Sequence, residues 1–193
     1  MSKIIVDDNF IRKWHPEYDK IEDDEKEYQE IVKIARKEKL EKEAISKITF
    51  GRMLRWKTPR VMGIVKFDEF EIYDRELRKC LDASENAKLI ILDKLYGIGA
   101  PVASTILHFI YPNEFPIMDI RTVEALHEFG YIESKIVSPK RYVTFRSIVL
   151  NIHKQYLRWS LREIDRALFA YHKISRGYCS CRHRNKIKKC CGA

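Results

Sequence analysis

The sequence predicts an all-helical protein. Proline and glycine are scarce, with 6 and 7 among 193 residues, so few positions interrupt a helix. Apolar residues recur three and four positions apart, as in Tyr28, Ile31, Val32 and Ala35, which is the spacing of an amphipathic helix. With 45% hydrophobic residues, the chain is long enough to bury a core as one domain, or as two lobes of one unit.

The helical segments follow one another in chain order. The first runs from Asp23 to about Leu40, and its acidic start at positions 22–25 suits the positive end of a helix dipole. The second carries apolar residues between Ile45 and Leu54. Further helices are predicted at about 69–81, 87–95, 101–109, 121–129, 140–158 and 161–174, with stops at Gly63, Gly97, Gly99, Pro112 and Gly130.

Positive charge is concentrated in the last third of the chain. The formal net charge is +9, although the first 130 residues sum to about −3. A basic segment of this kind indicates an acidic partner, most commonly nucleic acid. A membrane surface, an acidic protein and a merely solvated helical surface are the alternatives.

The chain carries no apolar stretch of signal-peptide length at its start and no segment long enough to span a membrane. We therefore expect a cytoplasmic protein with no membrane partner. In a reducing compartment, five cysteines argue against a disulfide framework. Cys80 stands alone beside Leu77 and Leu81, which favours a buried apolar role. The other four crowd into the last fifteen residues, which indicates a metal site.

Two glycines separate the predicted helices at 87–95 and 101–109. A tight turn between helices favours a positive φ angle, which glycine adopts without strain. Glycine also lets a phosphate oxygen approach the bare backbone amides. A β-carbon at Gly97 or Gly99 is expected to block that approach, so this turn predicts a phosphate-binding hairpin.

The segment from Leu95 to Leu107, together with Phe115-Pro116-Ile117-Met118-Asp119, resembles the helix-hairpin-helix DNA glycosylase superfamily that includes endonuclease III. The resemblance implies a two-lobed helical domain over residues 1–175, with the hairpin at about 88–109. It implies double-stranded DNA as the partner, contacted by the turn residues Gly97, Ile98, Gly99 and Ala100. It also implies a monovalent cation held by turn carbonyls, for which the matching positions are Leu95, Ile98 and Ala100.

The family often has a lysine where this chain has Pro101, and its amine forms a Schiff base with the sugar. Proline has no free amine, so lyase chemistry is not supported at this position. Lys94 and Lys88 lie nearby in sequence without matching the motif. The resemblance therefore implies a monofunctional enzyme that leaves an abasic site.

Asp119 stands where the resemblance implies the catalytic carboxylate. It precedes the apolar helical run of Val123, Leu126 and Phe129, so we expect it at a helix N-terminus. A carboxylate there can stabilise an oxocarbenium-like sugar and orient or deprotonate the attacking water. The alternative is that Asp119 only caps its helix. Arg121 is expected to hold a DNA phosphate or to pair with Asp119.

A second basic group, at the end of the 45–54 helix and in the turn after it, combines cations with an aromatic ring. Such a group can bind phosphates and stack on a base, and we assign Trp56, Lys57 and Arg60 to DNA binding. The alternative is that Trp56 packs in the core while the cations cap a helix C-terminus. The wider group consists of Arg52, Arg55, Trp56, Lys57, Pro59 and Arg60.

The last segment, residues 176–193, resembles the zinc-binding SEC-C motif found at the C-terminus of the SecA translocase. Its cysteines have the spacing C-x-C-x8-C-C, and four thiolates suit a structural Zn²⁺. The proposed ligands are Cys179, Cys181, Cys190 and Cys191. The loop departs from the family pattern, which leaves His183 as an alternative ligand; a reactive tail without metal is the other interpretation.

The resemblance therefore implies a monofunctional DNA glycosylase-like enzyme with a zinc-binding tail, which extrudes a damaged or modified base and acts either in DNA repair or on the modified bases of an invading phage. The alternative is a helix-hairpin-helix module that binds nucleic acid without catalysis. In a third hypothesis, the zinc tail recruits a protein partner.

Overall fold

The structure, a computed structural model, describes residues 4–177, and all regular secondary structure in this range is helical, with no β-strand. The all-helical prediction is therefore confirmed for this part of the chain. The cysteine tail and its proposed zinc ligands lie outside the described residues. The α-helices are α1 Asp8–Trp14, α2 Glu25–Lys42, α3 Lys47–Lys57, α4 Phe70–Asp82, α5 Glu85–Asp93, α6 Ala100–Ile110, α7 Ile120–Glu128, α8 Pro139–Gln155 and α9 Leu161–Ser175.

Local sequence signals explain most of these boundaries. Ser46 caps α3 by accepting the amide of Thr49 at 3.2 Å, and Ser160 and Glu163 cap α9 reciprocally in a capping box. Helix α1 was not predicted from the sequence. Asp7 begins it by accepting the amide of Phe10 at 2.8 Å, a cap that the sequence Asp-Asp-Asn indicates.

The described chain divides into two compact units, which we describe separately. The first contains residues 4–23, 119–136 and 144–177. Here α9 packs on α1 and α7. The rings of Phe10, Phe129 and Tyr171 meet with centroids 4.8–5.6 Å apart; Phe129 packs edge to face on both other rings, and Phe10 and Tyr171 are tilted towards each other.

The second unit contains residues 24–118 and 137–143. Helices α2, α3 and α5 pack on α6, which is buried along almost its whole length. The side chain of Phe109 lies between Tyr28 and Trp56, with ring centroids 5.5 and 5.1 Å away. Because α6 is buried and has Gly99 as its N-cap, packing in this unit holds the hairpin turn in place.

None of the helices within residues 4–177 is long and apolar enough to cross a membrane.

Candidate functional site

The turn between α5 and α6 uses its two glycines differently. Gly97 has φ +81°, and a β-carbon there lies 3.1 Å from methyl carbons of both Ile64 and Val65. Glycine is therefore required at this position by the fold itself. Gly99 has φ −88°, and an added β-carbon meets only Pro101, at 3.9 Å. The expectation of a positive φ holds for Gly97 and is wrong for Gly99, because the chain has already turned before α6 begins.

The backbone amides of this turn are also used differently. Ile98 donates its amide to the carbonyl of Leu95 at 3.0 Å, while Val102 and Ala103 both donate to the carbonyl of Gly99 at 2.9 Å. Among residues 4–177, the amides of Gly97 and Gly99 have no protein acceptor. Unpaired amides at a glycine turn are suited to binding an anionic oxygen. The amide of Ile98, which the sequence analysis included in the DNA contact, is occupied by the turn itself.

Asp93, the last residue of α5, is an acid of the hairpin that the sequence analysis missed. Burial raises the pKa of its carboxyl, and an interaction with the backbone amide of Ala100 partly opposes this effect. The acid thus faces the first amide of α6, where the helix dipole is positive. In the sequence, Asp93 stands six residues before Gly99. This short distance from the glycine turn is the signal that could have identified it as part of the hairpin. Ala100, predicted to contact DNA, has this internal partner.

Carbonyl groups of the turn were predicted to hold a monovalent cation. The carbonyl of Leu95 accepts the amide of Ile98, and the next carbonyl, of Tyr96, accepts the hydroxyl of Tyr73 at 3.0 Å. Each carbonyl oxygen has a second lone pair that can still coordinate a cation. These hydrogen bonds therefore neither support nor exclude the cation, which stays a prediction. Among the described residues, no cluster of histidine, cysteine or acidic side chains suits a metal ion.

The segment between α6 and Asp119 is anchored on α6. Ser104 accepts the amide of Met118 at 2.9 Å, and His108 donates its Nδ1–H to the carbonyl of Phe115 at 2.8 Å. Both side chains are fully buried. These bonds hold residues 115–118 along the hairpin's second helix, and so give the eighteen-residue interval from Pro101 to Asp119 a defined path.

Asp119 is the N-cap of α7, as expected. Its Oδ1 accepts the amide of Arg121 at 3.0 Å, and its own amide donates to the hydroxyl of Thr122 at 3.1 Å, completing a capping box. Its side chain is 16% exposed, so the carboxylate reaches solvent. The position thus satisfies the capping interpretation without sealing the carboxylate in the core.

Arg121 lies near this carboxylate in a loose arrangement. One guanidinium nitrogen, Nη1, is 3.5 Å from Oδ1 of Asp119, which is longer than a well-formed charged hydrogen bond. The guanidinium carbon also lies 5.0 Å from the ring centroid of Phe169, over its face. The arginine side chain is 37% exposed, so it is open to a phosphate as well as to Asp119.

The members of the predicted aromatic and basic group on α3 and in the turn after it differ in their contacts: some pack within the protein, and others are exposed. Trp56 packs against Phe109 and donates its indole N–H to the carbonyl of Asp24 at 3.3 Å. Arg52 forms two hydrogen bonds, of 2.8 and 2.9 Å, with the carboxylate of Glu27. These contacts give Trp56 and Arg52 packing roles. Lys57 is half-buried, whereas Arg60 is exposed and keeps its guanidinium available for a phosphate.

The two lysines considered as substitutes for the missing Schiff-base lysine have different surroundings. Lys88 is buried, and its Nζ donates to the carbonyls of Cys80 and Leu81 at 2.7 Å each, at the C-terminus of α4. Burial lowers the pKa of this lysine. Its two bonds commit the amine to holding α4 and α5 together. Lys94 is exposed at the end of α5.

Taken together, these features define a helical protein with a glycine-containing turn between α5 and α6 and an aspartate N-cap, with a 16% exposed side chain, at the start of α7. Comparison with protein-family models, curated proteins and solved structures found no match to this chain.

Proposed function

We propose that this protein is a monofunctional DNA glycosylase-like hydrolase. The observation that carries the proposal is Asp119, whose carboxylate caps α7 and whose side chain is 16% exposed. The carboxylate accepts the amide of Arg121 at the positive end of the α7 dipole. An ionised carboxylate next to an extruded nucleotide stabilises positive charge on the sugar and orients water for attack at its anomeric carbon.

In the proposed reaction, the glycosidic bond between sugar and base breaks as a bond to water forms. The water oxygen binds the anomeric carbon, one water proton passes to the solvent or the carboxylate, and the base leaves with the bonding electrons. No lysine of the motif takes part, because Pro101 stands where that lysine is needed; Lys88 is engaged by two carbonyls, and Lys94 does not match the motif. The product is an abasic site in an otherwise intact strand.

The amides of Gly97 and Gly99 support DNA binding in this proposal, since they lack protein acceptors in the described chain. Exposed cations support it as well. Residues 134–162 contain no acid, and Lys140, Arg141 and Lys154 of α8 are exposed. Basic surfaces without acids bind the phosphate backbone through counterion release. We further propose that the zinc tail strengthens binding to DNA or recruits a protein.

The second candidate function is a binding module without catalysis. The capping box of Asp119 and Thr122 favours it, because capping alone accounts for an aspartate at this position. The two functions differ only in what the carboxylate does once DNA is bound.

Asp119→Asn separates the two functions. Asparagine caps a helix about as well as aspartate, so the fold is kept while the charge is removed. The enzyme hypothesis expects alkali-labile sites in duplexes with damaged or modified bases, and a loss of roughly 10²–10⁴-fold in their rate of formation in the variant. Duplex affinity and thermal stability should stay close to the wild type.

Asp7→Asn is the matched control, since Asp7 is also an N-cap aspartate of the first unit and is given no role in the reaction. Its activity should equal that of the wild type. If the wild-type protein binds DNA but yields no alkali-labile sites on a broad panel of modified duplexes, the binding module is the correct function.

A further inference from the structure

A half-open depression of about 340 Å³ adjoins the hairpin turn in the second unit. Its floor consists of the buried side chains of Tyr73 and Leu95, and its walls include the exposed side chains of Tyr96 and Ile72. Lys66 stands at the edge, with Glu69 as its ion-pair partner. The volume lies in the range of small-molecule sites.

One buried hydroxyl connects two sides of the depression. The Oη of Tyr73 donates to the carbonyl of Tyr96 at 3.0 Å and accepts the backbone amide of Lys66 at 3.3 Å. Tyr73 itself is only 3% exposed. The backbone of the hairpin turn and the backbone before α4 are thus joined through the Tyr73 side chain, which fixes this buried part of the depression.

Tyr96 presents an unusual amount of aromatic surface at this place. It is 65% exposed, and within residues 4–177 its ring has no aromatic neighbour. The ammonium of Lys66 lies 5.9 Å from the ring centroid, near the outer limit of a cation–π contact. A ring with this much exposed surface gains little stability from burial. Tyr96 directly precedes Gly97 in the chain, so the residue that carries this ring belongs to the same turn as the amides to which we assign a phosphate.

We propose that this depression binds one unstacked nucleobase of the DNA strand whose phosphate contacts the amides of Gly97 and Gly99, with the Tyr96 ring as its stacking surface. The proposal rests on the DNA binding assigned to the hairpin under the proposed function. It adds a base-binding subsite formed entirely by the second unit. Every base has an aromatic face, so stacking on tyrosine holds a base without reading its identity.

The ion pair at the edge of the depression suits the polar edge of a base. Lys66 and Glu69 are joined at 3.2 Å with both side chains at least half exposed, so the pair separates at little cost. The ammonium can then donate to a base carbonyl or a phosphate, and the carboxylate can accept from an exocyclic amine. A DNA strand with one base in this depression is therefore held at its phosphate by the backbone amides and at its base by the Tyr96 ring.

Replacing Tyr96 by alanine tests the subsite. The expected result is a roughly 5- to 150-fold weaker affinity for single-stranded DNA and for a duplex with a one-nucleotide bulge, corresponding to the loss of one stacked base. A fully paired duplex of the same sequence offers no unstacked base, so its affinity should change by less than about twofold. Fluorescence anisotropy of labelled oligonucleotides measures all three.

Two further variants complete the design. Tyr96→Phe keeps the ring and should bind all three DNAs like the wild type. Leu40→Ala removes an exposed apolar side chain of α2 in the same unit and should also leave binding unchanged. Because Tyr96 is largely exposed, thermal melting of Y96A should stay close to that of the wild type.

The subsite is refuted if Y96A leaves all three affinities unchanged. It is also refuted if Y96A weakens binding to the paired duplex as much as to the bulged one, because the ring would then contact the DNA backbone and not a base. Gly99→Ala distinguishes this failure from a failure of the proposed function. If G99A weakens binding and Y96A does not, the hairpin binds DNA and only the subsite is wrong. If wild-type protein binds none of the DNAs, both proposals fail.

Discussion

Gly97 lies against Val65 so closely that a β-carbon built on it stands 3.1 Å from the valine Cγ2 methyl. The same atom would lie 3.1 Å from Cγ2 of Ile64. The hairpin turn is therefore packed on the segment before α4 and shaped by it. Gly99, two residues further on, has open space around it. One glycine serves the fold, and the other leaves room for a ligand.

Replacing each glycine by alanine should separate these roles. Gly97→Ala forces a side chain into a positive φ angle and a tight contact, and we expect it to lower the free energy of unfolding by about 1–2 kcal/mol or more. Gly99→Ala fits the backbone and should leave stability nearly unchanged, while its methyl group hinders a phosphate from reaching the amide. Denaturant unfolding and anisotropy with duplex DNA measure the two effects. Normal DNA binding by stably folded G99A would contradict the assignment of the phosphate to this turn.

The buried thiol of Cys80 should make the protein less stable in alkali. Burial raises the pKa of Cys80 to about 12, whereas an unfolded cysteine titrates near about 8.5. Between these values the unfolded chain has released a proton that the folded chain keeps, so the free energy of unfolding falls as the pH rises. Tyr111, with its pKa raised by burial to about 12, adds to the fall, and the lowered pKa of Lys88 opposes it.

Cys80→Ala removes this contribution. The free energy of unfolding can be measured by guanidinium titrations at several pH values between about pH 8 and pH 10.5. As the pH rises, it should fall less steeply for C80A than for the wild type. The smaller side chain shifts the whole C80A curve but does not change this difference in slope. Parallel curves for the two proteins would mean that the Cys80 thiol ionises in the folded state as readily as in the unfolded one.

The exposed cations of α8 should determine part of the salt dependence of DNA binding. Lys140 and Lys154 are exposed on a helix without a single acid, and neither has an ion-pair partner within the described range. Each phosphate contact that is lost should reduce the slope of log affinity against log salt by about 0.9. Lys140→Glu and Lys154→Glu should therefore weaken binding most at low salt. Lys37→Glu, on an exposed part of α2, is the control and should keep the wild-type slope.

Metal removal tests the cysteine tail. Four thiolates in a closed tetrahedral site predict about one Zn²⁺ per purified chain, measurable by atomic emission. Cys190→Ser combined with Cys191→Ser should abolish this content, and Cys80→Ser should not, since Cys80 is buried in the second unit. If the purified wild-type protein contains no zinc, the tail is a group of reactive cysteines without metal.

Removal of residues 177–193 then tests what the tail does. If the truncated protein loses DNA affinity and salt dependence while its protein partners in a pull-down are unchanged, the tail contributes to DNA binding. The hypothesis of protein recruitment requires the opposite pattern.

The sequence alone determined the helical class, most helix positions and the location of the hairpin. These follow from local physics: the three- and four-residue spacing of apolar side chains places α2 to α9, and glycine at a turn needs no distant partner to be recognised. The N-cap position of Asp119 was predictable for the same reason, because capping acts within one helical turn.

Only the tertiary structure decided what the individual groups contact. Asp93 approaching Ala100, Tyr73 joining Tyr96 to Lys66, and Lys88 bound to the carbonyls at the end of α4 all link separate elements of the second unit. No periodicity encodes such contacts, because they depend on how helices pack and on which polar groups are buried together. For the same reason, two glycines that look equivalent in the chain have separate roles: the neighbours of Gly97 come from residues 64 and 65, more than thirty positions earlier in the chain.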